Sequence, residues 1–183
     1  TTHKRFQWGT MRSQRMIKAF VLGVVGSRSE LVSSLNAIRN LPNVEEAYLL
    51  WGTYDVIAKV VVPSLEDLNS VLDGLYRSGV VDSNTLIVNP GGLSLEKPES
   101  RSKRKCAYTF IKIRRPAAPR LWGRFLSEID AVMEAYEIFG MYDVIVAVSE
   151  DVRTDFFDSY FRKLWILTEI NMNNTTTMFT VEV

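Results

Sequence analysis

The feature that most constrains this chain is an internal repeat. Val44–Ile57 reads VEEAYLLWGTYDVI and Val132–Ile145 reads VMEAYEIFGMYDVI, an offset of 132 − 44 = 88. Nine of these 14 positions are identical, where ordinary residue frequencies give about one match by chance. Leu50/Ile138 and Trp51/Phe139 are near-conservative. The same offset pairs Ala19 with Ala107 and Phe20 with Tyr108. Past Val148 the register slips by four, because TLIV from Thr85 aligns best with TMFT from Thr177 (177 − 85 = 92). One unit of roughly 75–80 residues is written twice, and the later part of copy two carries a small insertion.

Each copy has one order of elements. Ile17–Val25 is β-branched and aromatic and ends at Gly26, which predicts a strand. Ser27 and Glu30 have capping-box spacing, and Leu31, Leu35, Ile38 and Leu41 follow at helical spacing. Pro42-Asn43 ends that helix. Val44–Trp51 and Tyr54–Val62 are strands joined by a tight Gly52-Thr53 hairpin. Ser64 and Asp67 cap a second helix, and a last strand lies within Val80–Val88. In copy two the counterparts are a strand over Cys106–Ile113, a helix after Pro116 and Pro119, a hairpin of Val132–Phe139 with Tyr142–Val148, a helix marked by Phe156, Phe157, Tyr160, Phe161 and Leu164, and a closing strand in Thr175–Val183. The order βαββαβ predicts an α+β fold of two ferredoxin-like units. Residues 1–16 are a basic N-terminal segment, 17–89 the first unit, 90–105 a linker rich in Pro, Gly, Ser and charge, and 106–183 the second unit. The Arg101–Lys105 cluster reads as a solvated linker end.

A ferredoxin-like unit covers one sheet face with helices. Here both residue parities of the strands are apolar: in Val56–Val62 only Lys59 is charged, and in Val144–Val148 nothing is. The second face therefore needs burial, most simply against the other copy's sheet. The linker makes that pairing intramolecular, so the expected product is a dimeric α+β barrel built as a pseudo-dimer within one chain.

Composition narrows the function classes. The 183 residues carry 22 basic and 21 acidic side chains. That balance gives no global attraction to nucleic acid. Cys106 is the single cysteine, which excludes an intramolecular disulfide and points to a reducing cytoplasm. No apolar run reaches the ~18 residues of a membrane span. His3 is the single histidine, and there is no HxxE, CxxC or Gly-rich phosphate loop, so no metal site, cofactor or catalytic residue is expected.

The pattern Leu41-Pro42, Val44, Ala47, Gly52-x-Tyr54-Asp55-Val-Ile, Leu65-x-x-Leu68, Gly79-Val80 and Ser83-x-Thr85 resembles the effector-binding module of Lrp/AsnC transcription regulators, the regulation-of-amino-acid-metabolism domain. The likeness covers all of copy one. In copy two Val132, Ala135, Gly140, Tyr142-Asp143-Val-Ile and Thr175-x-Thr177 match, whereas Ile129-Asp130 replaces the Leu-Pro turn and the Gly-Val mark has no counterpart. The resemblance implies dimerisation through sheets, higher oligomers or co-assembly with Lrp/AsnC regulators, and a small effector, commonly an amino acid. It points to Gly52, Tyr54, Asp55, Ser83 and Thr85, and to Gly140, Tyr142, Asp143, Thr175 and Thr177, as ligand-binding positions. Glycine admits a ligand near the backbone, a carboxylate holds an ammonium group, and hydroxyls hold a carboxylate. Each residue also has a plainer reading: glycine as a turn requirement, aspartate bonding the turn backbone, tyrosine as packing, Ser/Thr as strand residues.

The resemblance stops short of the family's helix-turn-helix domain of about fifty residues. Thr1–Met16 is too short for it, although Lys4, Arg5, Arg12, Arg15, Phe6 and Trp8 make the segment basic and aromatic. Direct sequence-specific DNA binding is not expected, nor is a membrane partner. The expected function is a non-catalytic sensing and assembly module. The alternatives are an α+β barrel enzyme of the small-molecule oxygenase type, and a ligand-free structural module.

Overall fold

The computed structural model describes residues 15–183. The basic segment with His3, Phe6 and Trp8 lies, but for Arg15 and Met16, outside the described residues. The first unit comprises β1 (Ile17–Val25), α1 (Leu31–Arg39), β2 (Val44–Trp51), β3 (Val56–Val62), α2 (Leu65–Arg77) and β4 (Val80–Ile87). The linker carries a short β5 (Ser94–Glu96). The second unit comprises β6 (Lys105–Ile111), α3 (Ala118–Ser127), β7 (Val132–Glu137), β8 (Val144–Ser149), α4 (Arg162–Trp165) and β9 (Thr175–Val181).

The sheets join edge to edge in the order β4-β1-β3-β2-β9-β6-β8-β7-β5. Leu49, Leu50 and Trp51 of β2 pair with Val181, Thr180 and Phe179 of β9. At the other seam Val88 bridges Ile138, Asn89 donates to the Glu137 carbonyl at 2.8 Å, and Phe139 donates to the Ile87 carbonyl at 2.9 Å. The two seams correspond: Leu50–Thr180 and Ile138–Val88 are one pair related by the repeat (138 − 50 = 88, 180 − 88 = 92). The sheet therefore closes on itself, which removes its long exposed edges.

Closure explains why both strand faces are apolar. One face of each half packs under its helices, with Ala19, Val21, Leu35, Val60 and Leu75 in the first unit and Ala107, Leu121, Phe125, Val146 and Leu164 in the second. The inner faces share a third core of Phe20, Leu22, Tyr48, Ile57, Tyr108, Phe110, Tyr136, Ile145 and Met178. Fully burying each such aromatic or branched side chain stabilises the barrel by roughly 1.5–3 kcal/mol.

At one mouth the interior becomes ionic. Lys59 donates to Glu134 at 2.5 Å and lies 3.4 Å from Glu45. Lys105 donates to Glu46 and to the carbonyls of Ser100 and Lys103, at 2.8, 2.9 and 2.8 Å. Glu46 and Glu134 are repeat equivalents (134 − 46 = 88), and each accepts from the tyrosine two residues on, Tyr48 at 2.8 Å and Tyr136 at 2.5 Å.

Several local expectations are corrected. Ser27 makes no cap bond to the helix; its hydroxyl meets Ser29, and residues 28–30 form a 3-10 turn before α1. Ser64 does cap α2, accepting from the Asp67 amide at 3.1 Å. The hairpin turn spans four residues, 52–55, not two, so Tyr54 precedes β3. The second helix of copy two is broken into a 3-10 segment (Glu150–Asp155), one π turn (Phe157–Phe161) and the short α4. A π turn accommodates an extra residue in a helix, consistent with the insertion there. Lys105 is no solvated linker end: it is fully buried because its ammonium finds three acceptors.

Candidate functional site

Both hairpin turns are tied down in one way. Asp55 accepts the Val25 amide through Oδ2 at 2.8 Å, donates its own amide to the Gly23 carbonyl at 2.8 Å, and accepts from the Leu50 amide through its carbonyl at 2.8 Å. Asp143 repeats all three bonds with Ile113, Ile111 and Ile138, at 2.9, 2.9 and 3.0 Å. Every partner is shifted by 88. Aspartate after tyrosine thus anchors the turn to the end of the first strand. In each case Oδ2 is engaged and Oδ1 takes no hydrogen bond among the described residues. The turns need glycine: Gly140 sits at φ 122, where a side chain is strained. A Cβ on Gly140 would also approach Leu86 at 3.3 Å, and one on Gly52 would approach Met178 at 3.2 Å.

A cleft opens beside each turn. The first, about 410 Å³, is lined by Arg28, Leu31, Leu49, Leu50, Trp51, Gly52, Asp55 and Val181. The second, about 310 Å³, is lined by Asn89, Ile113, Arg115, Glu137, Ile138, Phe139, Gly140 and Asp143. Five lining positions are repeat equivalents: Leu49/Glu137, Leu50/Ile138, Trp51/Phe139, Gly52/Gly140 and Asp55/Asp143. Each cleft therefore presents an aspartate, a glycine backbone, an exposed aromatic ring and an arginine from the turn after the first strand. Trp51 is 78% exposed and Phe139 53%. Neither Arg28 nor Arg115 forms an ion pair among the described residues. A carboxylate and a free guanidinium in one cleft suit a zwitterion, the guanidinium taking a carboxylate bidentately and the aspartate an ammonium. The clefts differ where the repeat diverges: apolar Leu49 in the first corresponds to Glu137 in the second, whose Oε2 accepts the Leu93 amide at 2.5 Å.

The other positions implied by sequence lie elsewhere. Tyr54 and Tyr142 pack against the inner core. The Tyr142 ring lies 5.7 Å from that of Phe110, and its hydroxyl meets Thr176 at 2.9 Å. Ser83 meets the hydroxyl of Tyr76 on α2 at 3.0 Å. Thr177 meets Thr109 at 2.9 Å, which accepts from Tyr160 at 2.7 Å. Thr85 and Thr175 lie on β4 and β9, and neither lines the two clefts. The repeat does not single out the arginines, because Arg28 and Arg115 occupy adjacent, not identical, repeat positions (115 − 28 = 87) and the 88-residue register does not align them. Among the described residues no group of three His, Cys, Asp or Glu could hold a metal ion, and no helix is long and apolar enough to cross a membrane.

Residues 21–89 match the family described as the Lrp/AsnC ligand binding domain. No curated protein sequence matches the chain. Among solved structures, a protein of Thermus thermophilus is 32% identical over 41% of this chain and 95% of its own, with a TM-score of 0.38. AsnC of E. coli is 26% identical over 49% of this chain and 63% of its own, with a TM-score of 0.39. The siroheme decarboxylase NirDL aligns with 91% of this chain and 72% of its own at a TM-score of 0.60 and 13% identity, a likeness of fold across both units.

Proposed function

Residues 21–89 belong to the Lrp/AsnC ligand binding domain family, and from that premise we propose that this chain is a non-catalytic sensing module that binds a free amino acid, or a metabolite with the same ammonium and carboxylate ends, in the clefts beside Gly52 and Gly140. The observation that carries the reading is the duplicated pairing of an aspartate with an unpaired arginine, Asp55 with Arg28 and Asp143 with Arg115. Asp55 and Asp143 receive the ammonium, Arg28 and Arg115 the carboxylate, and Trp51 or Phe139 covers the side chain. The first cleft, larger and with Leu49 on its wall, takes the more apolar ligand. Binding beside the β2–β9 and β4–β7 seams gives the effector a grip on both units at once, so its free energy adds to barrel closure. Assembly with further copies or with DNA-binding relatives, and a cytoplasmic location, belong to the same proposal.

The barrel's inner faces carry the shared core of Phe20, Tyr108 and Tyr136, and the enzyme alternative rests on the likeness of fold to the siroheme decarboxylase. Thermal-shift measurements against the common amino acids at millimolar concentration test the sensing reading. At least one amino acid raises the melting temperature, and Arg28→Ala removes most of the rise. A flat response to all of them, with the Soret band of added haem shifted from its free position, supports the enzyme alternative instead.

A further inference from the structure

The two copies diverge at one end of the second unit, and a cavity lies there. Where the first unit has Val24, Gly26 and Val32, the second has Lys112, Arg114 and Arg120, each at the 88-residue offset. The connection into the last strand also differs. Two residues join α2 to β4 (80 − 77 − 1 = 2), and nine join α4 to β9 (175 − 165 − 1 = 9). The longer connection folds back on the end of β6. The Lys112 amide donates to the Asn174 carbonyl at 3.1 Å, and the Asn174 amide to the Asn171 carbonyl at 2.9 Å. A cavity of about 500 Å³ lies between this connection, the end of β6 and the start of α3, and all three cations line it. Its size falls within the ~300–1,000 Å³ of small-molecule pockets.

None of the three cations forms an ion pair or a side-chain hydrogen bond among the described residues. Lys112 stands 5.8 Å from the centre of the Tyr142 ring. Glu169 is the one carboxylate among the lining residues. Its side chain is 3% exposed, and one oxygen lies 3.6 Å from Arg124 Nε, outside the lining. The other, Oε2, is buried and has no hydrogen-bond partner among the described residues. A buried carboxylate oxygen is costly unless it accepts a hydrogen bond, and a ligand hydroxyl would supply one. The remaining polar lining is uncharged. Asn171 Oδ1 accepts the Asn173 amide at 3.0 Å, which leaves the side-chain NH2 group to donate. The side chains of Thr168 and Asn174 make no hydrogen bond among the described residues. No described aromatic ring lines the cavity, so it offers no platform on which a nucleobase could stack.

We propose that this cavity binds a small phosphorylated sugar or polyol, with the phosphate on Lys112, Arg114 and Arg120 and the hydroxyls on Glu169, Thr168, Asn171 and Asn174. Three cations against one carboxylate leave a surplus of two positive charges (3 − 1 = 2). A phosphate monoester, which carries a charge of about −1.5 to −2, neutralises that surplus. Arginine holds phosphate bidentately and so fixes its orientation, while Glu169 Oε2 accepts from a hydroxyl. The site shares only Ile113 with the cleft beside Gly140, and it does not rest on that cleft's amino-acid ligand.

The probe is glucose phosphorylated at its primary hydroxyl, titrated calorimetrically into the full chain, with glucose, inorganic phosphate and AMP as comparisons. The sugar phosphate is expected to bind saturably, and about tenfold or more tightly than glucose or inorganic phosphate. Combined Arg114→Ala and Arg120→Ala, both at exposed side chains, weakens that binding about tenfold or more and leaves the melting temperature unchanged. Glu169→Gln narrows the gap between sugar phosphate and inorganic phosphate. No binding at millimolar sugar phosphate, binding unchanged by the double arginine variant, or AMP or inorganic phosphate bound as tightly as the sugar phosphate overturns the proposal. Binding of a duplex oligonucleotide that the same double variant abolishes assigns the cations to a nucleic-acid backbone and overturns it as well.

Discussion

Lys59 of the first unit donates a hydrogen bond to Glu134 of the second across the barrel interior, at 2.5 Å, with side chains 3% and 1% exposed. The pair exists only because the units close on each other, so it reports on closure. Removing one partner leaves a buried charge, so Lys59→Met is expected to cost about 3–5 kcal/mol. The double variant Lys59→Met with Glu134→Leu recovers most of that loss. Urea denaturation measures both.

The same pair gives the barrel a pH signature. Burial pushes the Glu134 carboxyl up, but Lys59, the Tyr136 hydroxyl and Lys105 together outweigh it and hold it below its ordinary value. Its stabilising effect is complete above the unfolded value of about 4.3 and is lost as pH falls through the lower folded value. Burial lowers Lys59, but Glu134, Glu96 and Glu45 outweigh it and raise it. That contribution is complete below the unfolded lysine value of about 10.4 and is lost as pH rises through the folded one. The pair's contribution to stability is therefore flat between these limits, and in the double variant both of its shoulders shrink.

Asp55 accepts the partly buried Val25 amide. Asp55→Ala leaves that amide unpaired and is expected to cost about 1–3 kcal/mol, with Asp55→Asn costing less because an amide oxygen still accepts. Asn cannot pair with an ammonium as a carboxylate does. Asp55→Asn therefore separates the two roles: near-native melting with loss of effector response marks a ligand contact, and loss of neither marks a turn residue alone.

Cys106 is fully buried, and burial pushes its thiol up to about 11. Only the thiolate reacts. Native protein at pH 8 is expected to leave a disulfide reagent such as Ellman's unreacted, and urea-unfolded protein to react with one equivalent. Fast reaction of native protein would show that β6 opens readily.

The barrel was legible in the repeat and in the apolar parity of Val56–Val62 and Val144–Val148, because a sheet with no polar face must close or pair. The duplicated turns were legible because Gly-x-Tyr-Asp recurs at one offset. What escaped reading depended on long-range geometry. Lys105 looked solvated within a run of charge, since its acceptors come from β2 and from backbone carbonyls. Leu95 gave no strand signal in a Pro/Gly-rich linker; β5 exists because β7 offers it an edge. Arg28 and Arg115 fell outside the register by one residue, and the turn brings them back to equivalent clefts.

Isothermal titration tests the central claim most directly, using the amino acid that gives the largest thermal shift and comparing the native chain with Arg28→Ala and Arg115→Ala. The account predicts saturable binding with no turnover of the ligand, and a first-cleft affinity reduced at least tenfold (about 1.4 kcal/mol) by Arg28→Ala, with Arg115→Ala affecting only a second, weaker event. Binding left unchanged by both substitutions, or consumption of the ligand during the titration, would contradict it.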